Sequence, residues 1–239
     1  MKLVRLLAVT ALSGGALLGG SGVFAAENPS PVTTNGTVSY IPADDTNDET
    51  KDPEPETPGG EVTVPPTQTG SFAVAYAPDF DFGQHEITTK DATYEAKALE
   101  FDLVSGSGKG ARAHFAQVRD LRGDSTKGWD LKVAQTSDFV NASSTLTGAQ
   151  INLSNATSDN GTSTNSNVVI NSNAQSVLRA SNGNGKGLSS VLWGTADDLV
   201  DKDNQKVNPS VTLDVPGSSE KKQGTYSAEL TWTLESVPS

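Results

Sequence analysis

The sequence predicts an all-β protein, an antiparallel β-sandwich of the Ig-like or Greek-key type with long polar loops. The first observation is a period of two, because apolar residues alternate with polar or small ones in six short segments. Residues i and i+2 of a strand face the same side, so this pattern is typical of strands with one buried face. The second is that clusters of Gly, Ser, Asn and Pro separate the segments. The third is that no long stretch has the 3.6-residue period of an amphipathic helix.

The alternation predicts strands from the middle of the chain to its C-terminal end. Between residues 141 and 187 the chain is rich in Asn, Ser, Thr and Gly, which favours short strands joined by long surface loops. A shorter alternating stretch, Gly36–Ile41, predicts one more strand near the N-terminus. Many short strands in one domain favour a sandwich. By their apolar positions the six strands are Phe72–Tyr76, Leu99–Leu103, Trp129–Val133, Ala149–Leu153, Val211–Val215 and Tyr226–Leu234.

Residues 1–25 have the organisation of an export signal. Lys2 and Arg5 precede an apolar run from Leu6 to Leu18, and small residues occupy the positions expected before a cleavage site after Ala25. The run is too short to span a bilayer comfortably, so we expect no membrane insertion. Loss of the two basic residues takes the formal net charge from −12 to −14. The sequence therefore predicts a secreted mature protein, residues 26–239.

Residues 42–66 differ in composition from the rest of the chain. They hold six of the twelve prolines and eight acidic residues, against one basic residue, Lys51. A segment with so few apolar residues and so much like charge cannot form a core of its own and stays extended. We therefore expect an acidic, Pro-rich spacer loop that is solvated.

Composition excludes several classes of function. The chain has no Cys, so a disulfide scaffold, a zinc finger and a thiol nucleophile are excluded, and its two His, His85 and His114, leave almost nothing for another zinc site. A net charge of −12 and a pI near 4.5 make nucleic acid a poor partner. No Gly-x-Ser-x-Gly segment and no Ser-His-Asp order occurs, and no acidic residue lies in a recognisable catalytic segment. We expect neither an enzyme nor a protein with a cofactor or metal.

Two segments each contain the tripeptide Trp-x-Leu. The first is Gly128–Val133, with Trp129 and Leu131, and the second is Tyr226–Pro238, with Trp232 and Leu234. Together they resemble the WxL domain, a cell-surface module of Gram-positive bacteria. The resemblance covers roughly residues 30–239, because further segments match in order: Gly36–Ile41 with the acidic spacer, Phe82–Gly83, Val118–Gly123 and Leu146–Ile151.

This resemblance implies a function at the cell surface. It implies non-covalent attachment to the cell wall, with peptidoglycan as the ligand, in a complex with other surface proteins of the same system. Two alternatives stay open. The protein is an adhesin that binds host extracellular matrix, or a subunit that only a partner protein holds on the cell.

The motif residues Trp129, Leu131, Trp232, Leu234 and Tyr226 are the first candidates for wall binding. Because they alternate with polar residues, they belong either to the core or to an aromatic platform on which wall sugars stack. A further candidate lies outside the motif. It is Trp193, which precedes a glycine and is either an exposed contact or a core residue.

Three charged residues of alternating sign, Arg119, Asp120 and Arg122, precede the first motif. We interpret them as a structural Arg–carboxylate pair that holds this loop. We assign no special role to His85 or His114.

Overall fold

The computed structural model describes residues 33–123, 127–142, 144–181 and 183–237. It divides the chain into two units, residues 1–39 and residues 40–239. The predicted export signal lies outside the described residues, and residues 33–39 of the first unit have no regular secondary structure. Within the described ranges, no helix is both long and apolar enough to cross a membrane.

The described part of the second unit contains sixteen strands and one short 3-10 helix, Ala196–Asp198. In chain order the strands are β1 (Phe72–Tyr76), β2 (Ala92–Lys97), β3 (Leu99–Asp102), β4 (Lys109–Arg112), β5 (His114–Asp120), β6 (Gly128–Gln135), β7 (Val140–Asn141), β8 (Ser144–Thr145), β9 (Gln150–Leu153), β10 (Ala156–Ser158), β11 (Val168–Ile170), β12 (Gln175–Ala180), β13 (Gly187–Trp193), β14 (Val200–Lys202), β15 (Gln205–Val215) and β16 (Leu230–Val237).

The strands form three main sheets and two small hairpins, and every pair is antiparallel. The first sheet has the order β1-β5-β13-β10, and the third has the order β12-β6-β16. The second has the order β11-β9-β15-β14, with β2 also paired to β15. The hairpins are β3-β4 and β7-β8. The prediction of an all-β, antiparallel, sandwich-like fold is confirmed.

One apolar core joins the three main sheets. Its members include Trp193 from the first sheet, Ile151 and Leu153 from the second, and Trp129 and Leu131 from the third. Full burial of each large aliphatic side chain contributes about 1.5–3 kcal/mol relative to exposure. Because each sheet contributes its inward face to the same cluster, the sheets stabilise one another.

Each of the six segments predicted from alternation contains a strand. In β9 the pattern is clean, since Gln150 is exposed while Ile151 and Leu153 are buried. The structure adds strands that alternation did not indicate, such as β5, whose seven residues are all buried. The strand predicted at Gly36–Ile41 was wrong, because these residues have no regular structure.

The acidic segment is irregular, as expected of a loop, but it is not solvated along its length. Its Asp52 is only 4% exposed and forms a buried ion pair with Arg112 at the end of β4, where Nε lies 2.9 Å from Oδ1. The backbone N–H of Val62 donates to the other carboxylate oxygen at 3.0 Å. We call residues 47–70, which pack against the domain, the strap.

The strap covers the face of β5 that points away from the main core. The Arg119 guanidinium donates to three strap carbonyls, those of Glu49, Gln68 and Gly70, at 2.6–2.9 Å. The Gln117 amide exchanges two hydrogen bonds with the backbone of Lys51. Every residue of β5 is therefore buried, because the core lies on one side and the strap on the other.

A second apolar cluster holds the strap in place. Val62 and Val64 of the strap pack with Tyr76, Phe101 and Phe115, and all five side chains are buried. Composition alone predicted a solvated segment because it does not show which acidic residue meets Arg112.

The Asp52 carboxyl is ionised in the folded protein. Burial by itself raises the pKa of Asp52, but the hydrogen bonds from Arg112 and from the N–H groups of Glu54 and Val62 outweigh it, so the pKa lies below its usual value. The buried Arg112 therefore has a charged partner at neutral pH.

We predict that Asp52→Ala lowers the free energy of unfolding by about 3–5 kcal/mol, because Arg112 would remain buried without its partner. Glu56→Ala is the matched control, since Glu56 is an exposed acidic residue of the same strap, and we expect a change within about 0.5 kcal/mol. Urea unfolding of the two variants measures both values. Equal effects would contradict a structural role for the strap.

Candidate functional site

Both halves of the first Trp-x-Leu motif are in the core. Trp129 and Leu131 on β6 have no exposed area, and the Trp129 Nε1–H donates to the backbone carbonyl of Gly185 at 3.2 Å. Trp193 on β13 is also fully buried. Their burial therefore supports the interpretation of these three residues as core residues. None of them presents a surface to a ligand.

The backbone of Gly185 lies against the Trp129 ring. Gly185 has a φ of +68°, and a Cβ at this position would lie 2.9 Å from the ring and 2.6 Å from the Cβ of Ala180. Only glycine combines this backbone conformation with so close an approach. Gly185 thus helps to bury the indole, and its carbonyl accepts the hydrogen bond from the indole N–H.

The second motif lies on the neighbouring strand and is half-buried. In the register of β16 with β6, Trp232 is opposite Val133 and Leu234 is opposite Leu131. Both side chains pack against the core, and the Trp232 ring centroid lies 6.2 Å from that of Trp193. The two motifs therefore form the inner face of one sheet, β12-β6-β16, which we call the motif sheet.

The other side of the motif sheet is polar, and we call it the outer motif face. Cross-strand partners point to the same side of a sheet. Arg179 on β12 is opposite Asp130 on β6, and Asp130 is opposite Glu235 on β16. The eight residues of the outer motif face are Asp130, Lys132, Ala134, Ser176, Arg179, Thr231, Thr233 and Glu235.

Charges on the outer motif face are partly paired. Lys132 Nζ lies 2.6 Å from Glu235 Oε2, and the hydrogen bond to Glu235 raises the pKa of Lys132. Asp130 accepts a hydrogen bond of 2.5 Å from the Ser176 hydroxyl. Arg179 is exposed, and its guanidinium has no ion pair or hydrogen bond among the described residues.

An open polar cavity of about 500 Å³ lies near Tyr226, the first residue of the second motif. Its volume is within the usual range for ligand pockets. Tyr226 is half-buried, and its hydroxyl accepts a hydrogen bond from the Lys222 N–H at 2.8 Å. The cavity is lined by Thr145, Thr147, Ser218, Ser219 and Glu220, all of them polar.

The charged residues before the first motif divide between two roles. Asp120 and Arg122 form the predicted structural pair, with Nε–Oδ1 at 2.8 Å and Nη2–Oδ2 at 2.9 Å. Arg122 also donates to the Ser236 hydroxyl at 2.9 Å and lies over the Phe72 ring, so it links the ends of β16 and β1. Arg119 instead binds the strap.

A buried polar pair lies beside the core tryptophans. His114 on β5 is opposite Trp193 on β13, and its Nδ1 accepts a hydrogen bond from the Asn208 amide at 3.2 Å, so the ring proton is assigned to Nε2. Neither this Nε2–H nor the Trp193 Nε1–H has a hydrogen-bond partner among the described residues. Burial lowers the pKa of His114 to about 3, so the ring is neutral at neutral pH.

Metal binding has no support in the described ranges, where no group of three or more His, Asp or Glu side chains could hold an ion. The Asp198 carboxylate caps the short 3-10 helix, since it accepts hydrogen bonds from the Thr195 N–H and hydroxyl at 2.8 Å.

Comparison with known proteins gives one match. A family model described as "WxL domain surface cell wall-binding" matches residues 27–238, which is nearly the whole chain. No curated protein and no solved structure matches the chain.

The two buried tryptophans should respond differently to the same substitution. We predict that Trp129→Phe lowers the free energy of unfolding by about 1–3 kcal/mol more than Trp193→Phe. The first change removes a satisfied hydrogen bond to Gly185, whereas the second removes a buried N–H without a partner. Urea unfolding of the two variants compares them directly, and equal losses would contradict this account.

His114 should make the protein sensitive to mild acid. Below pH 6.5 the unfolded chain binds a proton at this ring and the folded protein does not, so folding stability falls with pH until about pH 3. We predict that the wild type loses up to about 1.4 kcal/mol more per pH unit than His114→Phe between pH 6 and about 4. Urea unfolding across this range tests it, and parallel pH profiles would refute it.

Proposed function

Because its family model matches almost every residue of the chain, the protein belongs to the WxL family of surface cell-wall-binding proteins, and we propose that it attaches non-covalently to peptidoglycan. The family places it at the cell surface and cell wall. It is a binding family and not an enzyme family. We therefore propose attachment to the wall polymer of a Gram-positive cell after export, without cleavage of it.

The match over residues 27–238 is the observation that carries this proposal, since the chain consists almost entirely of the wall-binding module. The structure supports it by separating two roles. The apolar motif side chains build the sheet, while hydroxyl and charged side chains line the outer motif face and the cavity near Tyr226. Such groups are suited to the hydroxyls and amides of peptidoglycan.

A second proposal is assembly with another surface protein. Tyr40 and Ile41, at the start of the second unit, are each 89% exposed. Large apolar side chains that lie next to one another in sequence and remain exposed favour a protein contact. Host matrix proteins are the competing partner, because they too could bind the exposed apolar side chains.

Sedimentation with peptidoglycan tests the main proposal. The mature protein, residues 26–239, is mixed with peptidoglycan stripped of teichoic acid and protein, and with insoluble cellulose as the control polymer. We predict saturable co-sedimentation with peptidoglycan only. A chain near −14 is repelled by anionic wall polymers at long range, so walls that retain teichoic acid should bind more protein as salt is added.

Other outcomes would redirect the assignment. Binding only to walls that keep their own proteins would mean that a partner holds the chain on the cell. Binding to immobilised matrix proteins with no binding to peptidoglycan would favour an adhesin. The double variant Tyr40→Asp/Ile41→Asp should leave peptidoglycan binding unchanged while weakening any protein contact.

A further inference from the structure

Arg179 differs from most basic side chains of this acidic protein. Most of the exposed Lys and Arg residues of the described ranges are paired with a carboxylate, as Lys51 is with Asp159 and Lys202 is with Glu95. The Arg179 guanidinium is exposed and has no such pair there. An unpaired guanidinium is the strongest carboxylate-binding group that a protein surface offers.

The backbone around Arg179 is fixed on both sides. Along one edge, β12 pairs with β6, where Arg179 is opposite Asp130. Along the other edge, Ser163 and Arg179 exchange two backbone hydrogen bonds of 2.8 Å. The flanking Leu178 and Ala180 are buried. A rigid backbone therefore presents the side chain on the outer motif face, which lowers the entropy lost on binding.

The side chains around Arg179 can bind ligand groups other than a carboxylate. Glu235 lies in the same cross-strand row, and its carboxylate engages Lys132 through one oxygen. The other oxygen is therefore available to a ligand ammonium. The Thr231 and Thr233 side chains are exposed on the same face and offer hydroxyls to peptide amides. The face thus combines a carboxylate-binding group, an ammonium-binding group and amide-binding groups.

Among the components of peptidoglycan, this combination matches the stem peptide. A stem peptide has a terminal carboxylate, several amides and, where it is not cross-linked, a free amine on its diamino acid. The glycan strand has no free charge where stem peptides are attached. We propose that the outer motif face binds the stem peptide, with Arg179 receiving its carboxylate. This inference rests on the proposed attachment to peptidoglycan and names the component that is recognised.

The test compares two variants that each remove one exposed positive charge with no ion pair to another described residue. Arg179→Ala removes the proposed contact, and Lys90→Ala, in the loop before β2, is the matched control. Both residues are exposed, so circular dichroism and urea midpoints should match the wild type. The probe is a soluble disaccharide-tetrapeptide with a free C-terminal carboxylate, and a C-terminally amidated copy of the same molecule is the comparison. Calorimetry measures the binding of each.

We expect Arg179→Ala to weaken binding of the free-carboxylate probe by about 10-fold to 100-fold, the range for a charge-assisted hydrogen-bonded contact. Lys90→Ala should bind within about twofold of the wild type, as expected of a surface change outside the contact. Amidation of the probe should weaken the wild type and leave Arg179→Ala nearly unchanged. Arg179→Lys, which keeps the charge but not the planar fork, should recover only part of the loss.

Two results would overturn the inference, and they differ from failure of the proposed function. If Arg179→Ala binds the probe as the wild type does, the carboxylate contact lies elsewhere. If the wild type sediments with peptidoglycan but does not bind the soluble probe, the ligand is the glycan strand, and attachment to peptidoglycan stands. If the wild type does not sediment with peptidoglycan at all, the proposed function fails first.

Discussion

The pairing of β6 with β16 is the interaction on which the rest of the structure depends. It joins segments about a hundred residues apart in the sequence and places Leu234 opposite Leu131, so that the two Trp-x-Leu motifs share one apolar face. That face meets Trp193 from the first sheet and the aliphatic residues of the second sheet in a single core. Without this pairing, Trp193 would lose the Trp232 ring and β6 would lose one of its two neighbouring strands.

Because a strand alternates its side chains, the same residues that bury the motif also determine what faces solvent. Every inward Trp or Leu of β6 and β16 is followed by an outward polar residue, such as Asp130, Lys132 or Thr233. The Trp-x-Leu motif thus specifies the packing of the sheet, and the residue between Trp and Leu contributes to the outer motif face. This division is consistent with a motif that is characteristic of a binding family although Trp129 is fully buried and Trp232 packs against the core.

Alternation in the sequence was sufficient to predict the all-β class and a strand in each of six segments, including both motifs. It did not indicate β5, because the strap buries the outer face of this strand, where the polar side chains of Gln117 and Arg119 bind strap carbonyls. Site prediction had a similar limit. The motif tryptophans stand out in the sequence, but Arg179 does not, since the role proposed for it depends on its cross-strand neighbours and on the pairing of the other cations.

The strap shows that the acidity of this protein is partly structural. Arg112 and Arg119 are buried beneath it, and neither could be so placed without the Asp52 carboxylate and the strap carbonyls that receive their hydrogen bonds. A segment whose composition is typical of disorder is therefore ordered by a few specific contacts. The strap is therefore part of the folded second unit, although it precedes the first strand of the first sheet.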